Sequence, residues 1–356
     1  MDTIEEAPRN DHFGLSPKLF VLIFGLLAIA SVVPIWIGKY FPSQNGPEYL
    51  LAVQMIKEYF SPDFNYSDYY ELTLLIVPNI LFHFIVYLLS FVFPLLVASK
   101  IALSLSIILL PLSVFYLIRA VDSRKMILGF ASFTCVYNYF IPKAYSSFYL
   151  SISIFFFLLG YLVKHYERLS LKTLVWLSVL GFLVYIAHMF SFLLAVFVVT
   201  VYILIRDQTY KRLLKVLATF IPSFIFFVQY ASFIVTQSGA LVTEGEAAQH
   251  WIRYSPFLET VKIFVKMSMY SFSNLGVLIF LIPLFLICSL VIRRLLRLRR
   301  DFSIAGEGFS PLMKREPMLP LLIILSLIFF SLPREIMGWP KFNIRLLPFI
   351  FIIPIR

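Results

Sequence analysis

The sequence predicts an all-α, polytopic membrane protein with about ten transmembrane helices. Hydrophobic residues make up 60% of the 356 residues, and charged residues only 14%, whereas about a quarter of the residues in a soluble domain are charged. A water-soluble chain of this length cannot bury so much apolar surface. These proportions exclude a soluble enzyme, a nucleic-acid-binding domain and a disordered chain, and they predict that a lipid bilayer surrounds the protein.

Apolar runs of span length recur along the chain. The first, from Leu19 to Ile37, continues past the small residues at Ala28 and Ala30, which predicts a retained span rather than a cleaved signal peptide. The run at 173–205 is too long for one crossing and should turn at Ala187-His188, its strongly polar point. The other apolar runs are 72–97, 101–118, 126–141, 146–163, 213–236, 274–292, 318–332 and 346–355.

The Lys and Arg residues predict the orientation, because they concentrate in cytoplasmic loops. If 72–97 crosses, this rule is inverted along the rest of the chain. If 72–97 stays in a loop as membrane-hugging or re-entrant helices, 20 of the 30 basic residues and only ten of the 19 acidic ones share the side of the N-terminus. We therefore expect a plasma (inner) membrane protein with a cytoplasmic N-terminus.

This orientation predicts a single multi-pass domain, residues 1–356. Its predicted loops are a long first extracytoplasmic loop at 39–99, a second at 237–272 and a basic cytoplasmic loop at 293–315. The longest loops face outward, so we expect the function to lie there.

The sequence predicts neither a metal site nor a cofactor. Cys135 and Cys288 lie inside apolar runs, and His83, His188 and His250 show no metal-ligand spacing. It also contains no Gly-rich phosphate loop and no internal repeat.

The first outer loop carries the candidate acids. Asn45-Gly46-Pro47-Glu48 is a helix-start signal, and the helix it opens is amphipathic, as interfacial helices are. Glu48 either only complements the helix dipole or acts as a base. Asp68 and Glu71 are the second choice, because residues three apart share a face if their segment is helical.

Four basic or ionisable positions are further candidates. Arg345 opens the last apolar run, near Lys341, where it either binds a lipid phosphate bidentately or only anchors the chain at the interface. His188, at the bend of the 173–205 run, is an intramembrane ionisable residue and hence a functional candidate, although a helix-to-helix hydrogen bond is the alternative. Arg253 makes the second outer loop basic and either meets an anionic headgroup or is solvated.

Taken together, these segments resemble the GT-C superfamily of integral-membrane glycosyltransferases, which use polyprenyl-phosphate sugar donors. The resemblance lies in an acid shortly after the first span, a long first outer loop, and three short stretches. These stretches are Tyr145–Leu150, Ala187–Phe192 and Ile344–Phe349.

The chain departs from the family pattern at two positions and at its end. Relatives often have an Asp in the Asn45 position and a His in the Tyr49 position. The chain also stops at Arg356 after about ten apolar residues, too few to span. We therefore expect a shortened member of the family or a fragment.

The resemblance implies sugar transfer from a polyprenyl-phosphate donor to an acceptor hydroxyl at the extracytoplasmic face. Such a reaction requires a base for the hydroxyl proton and positive charge on the leaving phosphate. The implied base is Glu48, and the implied phosphate-binding residues are Arg345 and Lys341. His188, Tyr145 and Arg253 would line the site.

Two other classes of function stay open. A transporter or flippase would need broken helices in matching halves of the chain, and the sequence shows no two-fold repeat. The second is a non-catalytic membrane assembly protein.

Overall fold

The computed structural model describes residues 16–72, 75–206, 210–241, 252–268, 289, 317–336, 339–340 and 343–353. These residues are mostly helical, with one small sheet of two-residue strands. Among them, four helices are long and apolar enough to cross a membrane, and a bent pair of helices makes a fifth candidate. The described part is therefore an all-α polytopic membrane protein with four or five candidate spans, and about ten spans stays a prediction.

The described residues from 16 to 165 form six α-helices and one 3₁₀ helix. Ser16 caps the first helix, because its hydroxyl accepts a hydrogen bond from the Leu19 N–H at 3.3 Å, and Pro17 follows at the first helical position. The elements are α1 Pro17–Trp36, α2 Gly46–Lys57, α3 Tyr66–Tyr69, α4 Leu81–Leu89, α5 Leu95–Val121, η1 Ser123–Cys135 and α6 Ser146–His165.

The second half contains the hairpin that the sequence predicts at 173–205. The first helix of the hairpin ends at Ala187 and the second begins at Met189, so the turn lies at His188 as expected. The helices are α7 Leu171–Ala187, α8 Met189–Arg206, α9 Tyr210–Ala218, α10 Ile221–Leu241, α11 Phe257–Ser268, α12 Met318–Ser331, the 3₁₀ helix η2 Asn343–Leu346 and α13 Leu347–Ile352. The antiparallel sheet has the order β1 Ile252–Arg253, β2 Glu335–Ile336, β3 Trp339–Pro340.

Run 72–97 does not form one continuous helix. Its helix α4 has nine residues and rises about 14 Å, less than half of a bilayer core of about 30 Å. A break from Ser90 to Pro94 separates α4 from α5. The helix α4 is therefore too short to cross the core by itself.

Run 126–141 contradicts the expectation of an α-helical span. The 3₁₀ helix η1 covers its first ten residues, and turns and irregular chain follow. The Asp122 carboxylate accepts the Arg124 N–H at 3.2 Å at the start of η1. A 3₁₀ helix rises about 2.0 Å per residue, against about 1.5 Å for an α-helix, so it covers more distance with fewer residues.

The loop predictions for the later part of the chain fall partly outside the described residues. The run at 213–236 is broken, because α9 and α10 meet at an angle of 58°. The described part of the second outer loop, 237–272, consists of the end of α10, β1 and α11. The cytoplasmic loop at 293–315 and nearly all of the run at 274–292 lie outside the described residues.

Helix α6 lies at the centre of the bundle and packs on α5, α7 and α8. Gly160 permits a close approach to α5, because a Cβ there would lie 2.8 Å from the Tyr116 ring and 3.1 Å from the Leu117 Cα. The Ser151 and Ser191 hydroxyls are 2.6 Å apart and join α6 to α8. Such pairing is needed because lipid offers no hydrogen bonds to polar groups.

Helices α5 and α6 run in the same direction, and η1 with the residues after it returns the chain between them. Lys164 lies over the Tyr116 ring at 5.8 Å, and Arg206 donates to Glu167 at 2.7 Å. The end of the bundle where these residues lie is called the His165 end below. The start of α6 and the turn at His188 define the Ser146 end, and the membrane face that each end meets stays a prediction.

Candidate functional site

Arg345 is the centre of a polar cluster at the Ser146 end. It lies half-buried in η2, and its guanidinium carbon is 5.9 Å from the ring centroids of both Tyr145 and Phe148. Its Nη1 atom lies 3.3 Å from Nε2 of His188. The structure thus brings together Tyr145, His188 and Arg345, three of the residues that the sequence nominated.

A hydrogen-bond donor approaches each of the two ring nitrogens of His188. His188 is buried, and its Nδ1 accepts the backbone N–H of Phe190 at 3.2 Å. This contact satisfies one of the N–H groups that the start of α8 leaves unpaired. A neutral imidazole has one N–H and one acceptor nitrogen, so His188 can accept from either Phe190 or Arg345 but not from both. When Nδ1 accepts the Phe190 N–H, the ring proton lies on Nε2, and Nε2 of His188 and Nη1 of Arg345 are two donors that face each other.

The first outer loop reaches the same cluster through Tyr49. Burial raises the pKa of Tyr49, while a hydrogen bond from the Asn45 side chain and the Arg345 charge both lower it. The charge effect places Tyr49 within electrostatic reach of Arg345. Asn45 was expected to cap α2, but its side chain makes no capping hydrogen bond and bonds to the Tyr49 side chain instead.

His83 contacts Tyr49 from helix α4. The two rings meet edge to face with centroids 4.9 Å apart. Nδ1 of His83 lies 3.2 Å from the carbonyl oxygen of Asn79, which also accepts the Ser147 hydroxyl at 2.8 Å. Asn79 has a φ of 70°, a left-handed conformation that Asn tolerates better than most residues. One strained backbone position therefore joins α4 to the first turn of α6.

The candidate acids lie on the surface. Glu48 follows the helix start next to Tyr49, but its side chain is exposed. Asp68 and Glu71 are also exposed. These two do not share a helix face, because α3 ends at Tyr69 and Tyr70 is extended. The condition for a shared face, a helical segment that includes both acids, is therefore not met.

The next basic candidate, Arg253, belongs to the small sheet. Arg253 lies in β1 and pairs with Glu335 of β2 at 3.8 Å. Its backbone carbonyl accepts the Arg334 N–H at 2.8 Å. Arg253 thus holds the small sheet together in the described structure. Lys341 lies outside the described residues.

A separate apolar groove of about 540 Å³ runs between α1 and α5. Lys100 lies beside it, with its ammonium over the Trp36 ring at 5.4 Å and 2.6 Å from the Gly38 carbonyl oxygen. The groove suits a hydrocarbon chain, and its lining offers no group for acid–base chemistry. The lining residues are Ala28, Ile29, Val32, Val33, Trp36, Ile37 and Ile108.

Tyr49 and His83 belong to the cluster although the sequence did not nominate them. The signal for Tyr49 was its place beside Glu48. The signal for His83 was its place, with Asn79, as a polar interruption of the 72–97 run. Comparison of the chain with protein-family models, curated proteins and solved structures gives no match.

Proposed function

We propose that the protein is a membrane glycosyltransferase that moves a sugar from a polyprenyl-phosphate donor to an acceptor hydroxyl at the extracytoplasmic face. In this proposal, Arg345 and His188 bind the phosphate of the donor. Tyr145 and Phe148 flank the guanidinium and provide flat apolar faces beside it.

The observation that carries the proposal is the contact between Nη1 of Arg345 and Nε2 of His188. With the His188 proton on Nε2, the two N–H groups have their nitrogen atoms 3.3 Å apart, and neither can accept a hydrogen bond from the other. A phosphate oxygen placed between them would accept from both, and hydrogen bonds with an ionised partner are the stronger ones. The pair therefore suits an oxyanion better than it suits itself.

The surrounding helices favour an anion as well. Helices α6 and α8 begin directly after Tyr145 and at the residue after His188, respectively. The start of a helix presents unpaired N–H groups and the positive end of its dipole. These partial charges add to the Arg345 charge at the Ser146 end. They would stabilise a leaving phosphate as negative charge develops on it.

The orientation of the site supports the choice of a lipid-linked donor. The Ser146 end lies opposite the basic segments at 119–125 and 164–172, and the concentration of basic residues in cytoplasmic loops would place it outside. A polyprenyl donor reaches such a site from within the bilayer. The groove beside α1 offers further apolar surface for a hydrocarbon chain.

The transporter alternative finds less support. It would need discontinuous helices in two matching halves around a midplane site. Within the described ranges, the α9–α10 pair with its 58° bend is a broken span of this kind. The polar cluster described above lies at the Ser146 end of α6, away from the middle of that helix.

Binding and turnover together test the proposal. The purified protein in lipid nanodiscs should bind a synthetic polyprenyl monophosphate. The sugar-linked form of the lipid should compete with the monophosphate for this binding. Membranes from cells that produce it should transfer labelled hexose or pentose from polyprenyl phosphate. Binding without transfer from any such donor would refute the enzyme, and absence of binding would refute the phosphate site.

A further inference from the structure

We infer that His83, rather than a surface carboxylate, is the catalytic base of the proposed transfer. This inference rests on the proposed function and assigns a further residue to it. His83 belongs to the same end of the molecule as Arg345, to which it is linked through Tyr49.

The geometry of His83 leaves one ring nitrogen for chemistry. A backbone carbonyl only accepts hydrogen bonds, so Nδ1 of His83 carries the proton that it donates to Asn79. The lone pair of the neutral ring then lies on Nε2. A base needs such a lone pair, held at a fixed angle by the bond that its other nitrogen makes.

The carbonyl group that accepts the His83 N–H is contacted by side chains from two helices. The Asn79 carbonyl accepts from both His83 in α4 and Ser147 in the first turn of α6. Asn79 reaches this position in a left-handed conformation that costs conformational energy. The arrangement fixes the His83 ring relative to the helix that begins beside Tyr145.

The charge state of His83 suits a base at neutral pH. Burial lowers the pKa of His83 below its ordinary value, and the hydrogen bond with Asn79 opposes this shift. The ring is therefore neutral at pH 7. The candidate acids Glu48, Asp68 and Glu71 are instead exposed to solvent.

The acceptor oxygen attacks the anomeric carbon of the donor sugar and forms the new glycosidic bond. The bond from that carbon to the phosphate oxygen breaks, and its electron pair leaves with the polyprenyl phosphate beside Arg345 and His188. The hydroxyl proton moves to Nε2 of His83, and the resulting imidazolium later releases it to water.

The variant His83→Asn removes the base but can keep the hydrogen bond to Asn79. The Asn amide N–H can still donate to the Asn79 carbonyl, but it cannot take a proton. Transfer should fall by about 100- to 10,000-fold, the usual contribution of a general base. Binding of a synthetic polyprenyl monophosphate should stay within about twofold of wild type.

His165 offers a matched control. Its Nδ1 lies 3.0 Å from the carbonyl of Tyr161, also four residues earlier, and its ring also packs on a tyrosine, at 4.3 Å. It lies at the His165 end, so His165→Asn should keep wild-type transfer. A structural role of either histidine would instead lower stability and binding.

Rescue and pH dependence decide between a base and a packing residue. Free imidazole should restore part of the transfer in His83→Ala, and the wild-type rate should fall as pH drops through the lowered pKa of His83. Undiminished transfer in His83→Asn, or no rescue in a His83→Ala protein that still binds the lipid, overturns the base assignment alone. No wild-type transfer from any labelled donor overturns the proposed function and, with it, this inference.

Discussion

The two ends of helix α6 carry similar residues in different chemical arrangements. At the His165 end, the Arg206 guanidinium lies 4.3 Å from the Tyr166 ring centroid and donates to Tyr202 Oη and Glu167 Oε1, both at 2.7 Å. At the Ser146 end, Arg345 also lies beside aromatic rings, but it faces His188 Nε2 at 3.3 Å.

The difference lies in what faces each guanidinium. A carboxylate and a hydroxyl oxygen accept from Arg206, so its charge is paired and both of its terminal nitrogens donate to oxygens of the protein. The Glu167 side chain is 71% exposed, as is typical of a solvated ion pair near the end of a span. Arg345 instead faces His188, whose neutral ring can accept from Arg345 or from Phe190 but not from both. The same residue type is therefore a structural anchor at one end and a candidate anion site at the other.

Replacing Arg345 and Arg206 in turn should give the largest difference in lipid affinity between the two ends. Arg345→Gln removes charge-assisted hydrogen bonds of about 1.5–3 kcal/mol, which corresponds to about 10- to 150-fold weaker binding of polyprenyl monophosphate. Arg345→Lys should also weaken binding, because it keeps the charge but loses the planar fork. Titration of the lipid into nanodisc-held protein measures both.

Arg206→Gln is the control for this experiment, and it should bind the lipid as wild type does. Equal affinity in the wild type and in both Arg345 variants would make Arg345 an interface anchor like Arg206. The arginines at the two ends would then have the same structural role.

Replacing His188 tests the second residue of the proposed phosphate site. The Asn oxygen in His188→Asn can still accept the Phe190 N–H, but the Nε2 donor is lost, so lipid binding should weaken about tenfold, for one hydrogen bond to a charged group. His188→Ala also loses the hydrogen bond that caps the start of α8 and should lower the free energy of unfolding by about 1 kcal/mol. Wild-type affinity in His188→Asn would contradict the two-donor arrangement.

Glu48 separates the sequence interpretation from the structural one. The sequence analysis predicts that Glu48→Gln abolishes transfer. The exposed position of Glu48 and the assignment of His83 as base lead us to expect transfer within about twofold of wild type. A sugar-transfer assay on Glu48→Gln and His83→Asn in parallel decides between them, and loss of transfer in Glu48→Gln alone would restore Glu48 as the base.

Breaking the ion pair at the His165 end should have the smallest effect. Glu167→Gln removes an exposed ion pair, and such pairs contribute about 0.2–1 kcal/mol to folding. The melting temperature in detergent should fall slightly and less in high salt, since salt screens the pair. Lipid binding and transfer should not change, and a tenfold change in either would show that the two ends are coupled.

The sequence predicted the parts of the fold that local pattern records. The apolar run from Leu19 predicted α1, and the single polar point in 173–205 predicted the turn at His188, because lipid selects long apolar stretches and tolerates a break only where polar groups find partners. The apolar composition of Ser123–Cys135 could not distinguish a 3₁₀ helix from an α-helix, because it does not depend on which backbone hydrogen bonds form.

The sequence alone also nominated Arg345, His188 and Tyr145, as polar or aromatic residues at the edges of apolar runs. It could not show that they meet, because 157 residues separate Arg345 from His188. Only the tertiary structure brought Tyr49 and His83 to this cluster, through the conformation of Asn79 and its contact with Ser147, 68 residues away. Hydropathy fixes which residues enter the membrane, whereas the packing of helices decides which polar side chains then face one another.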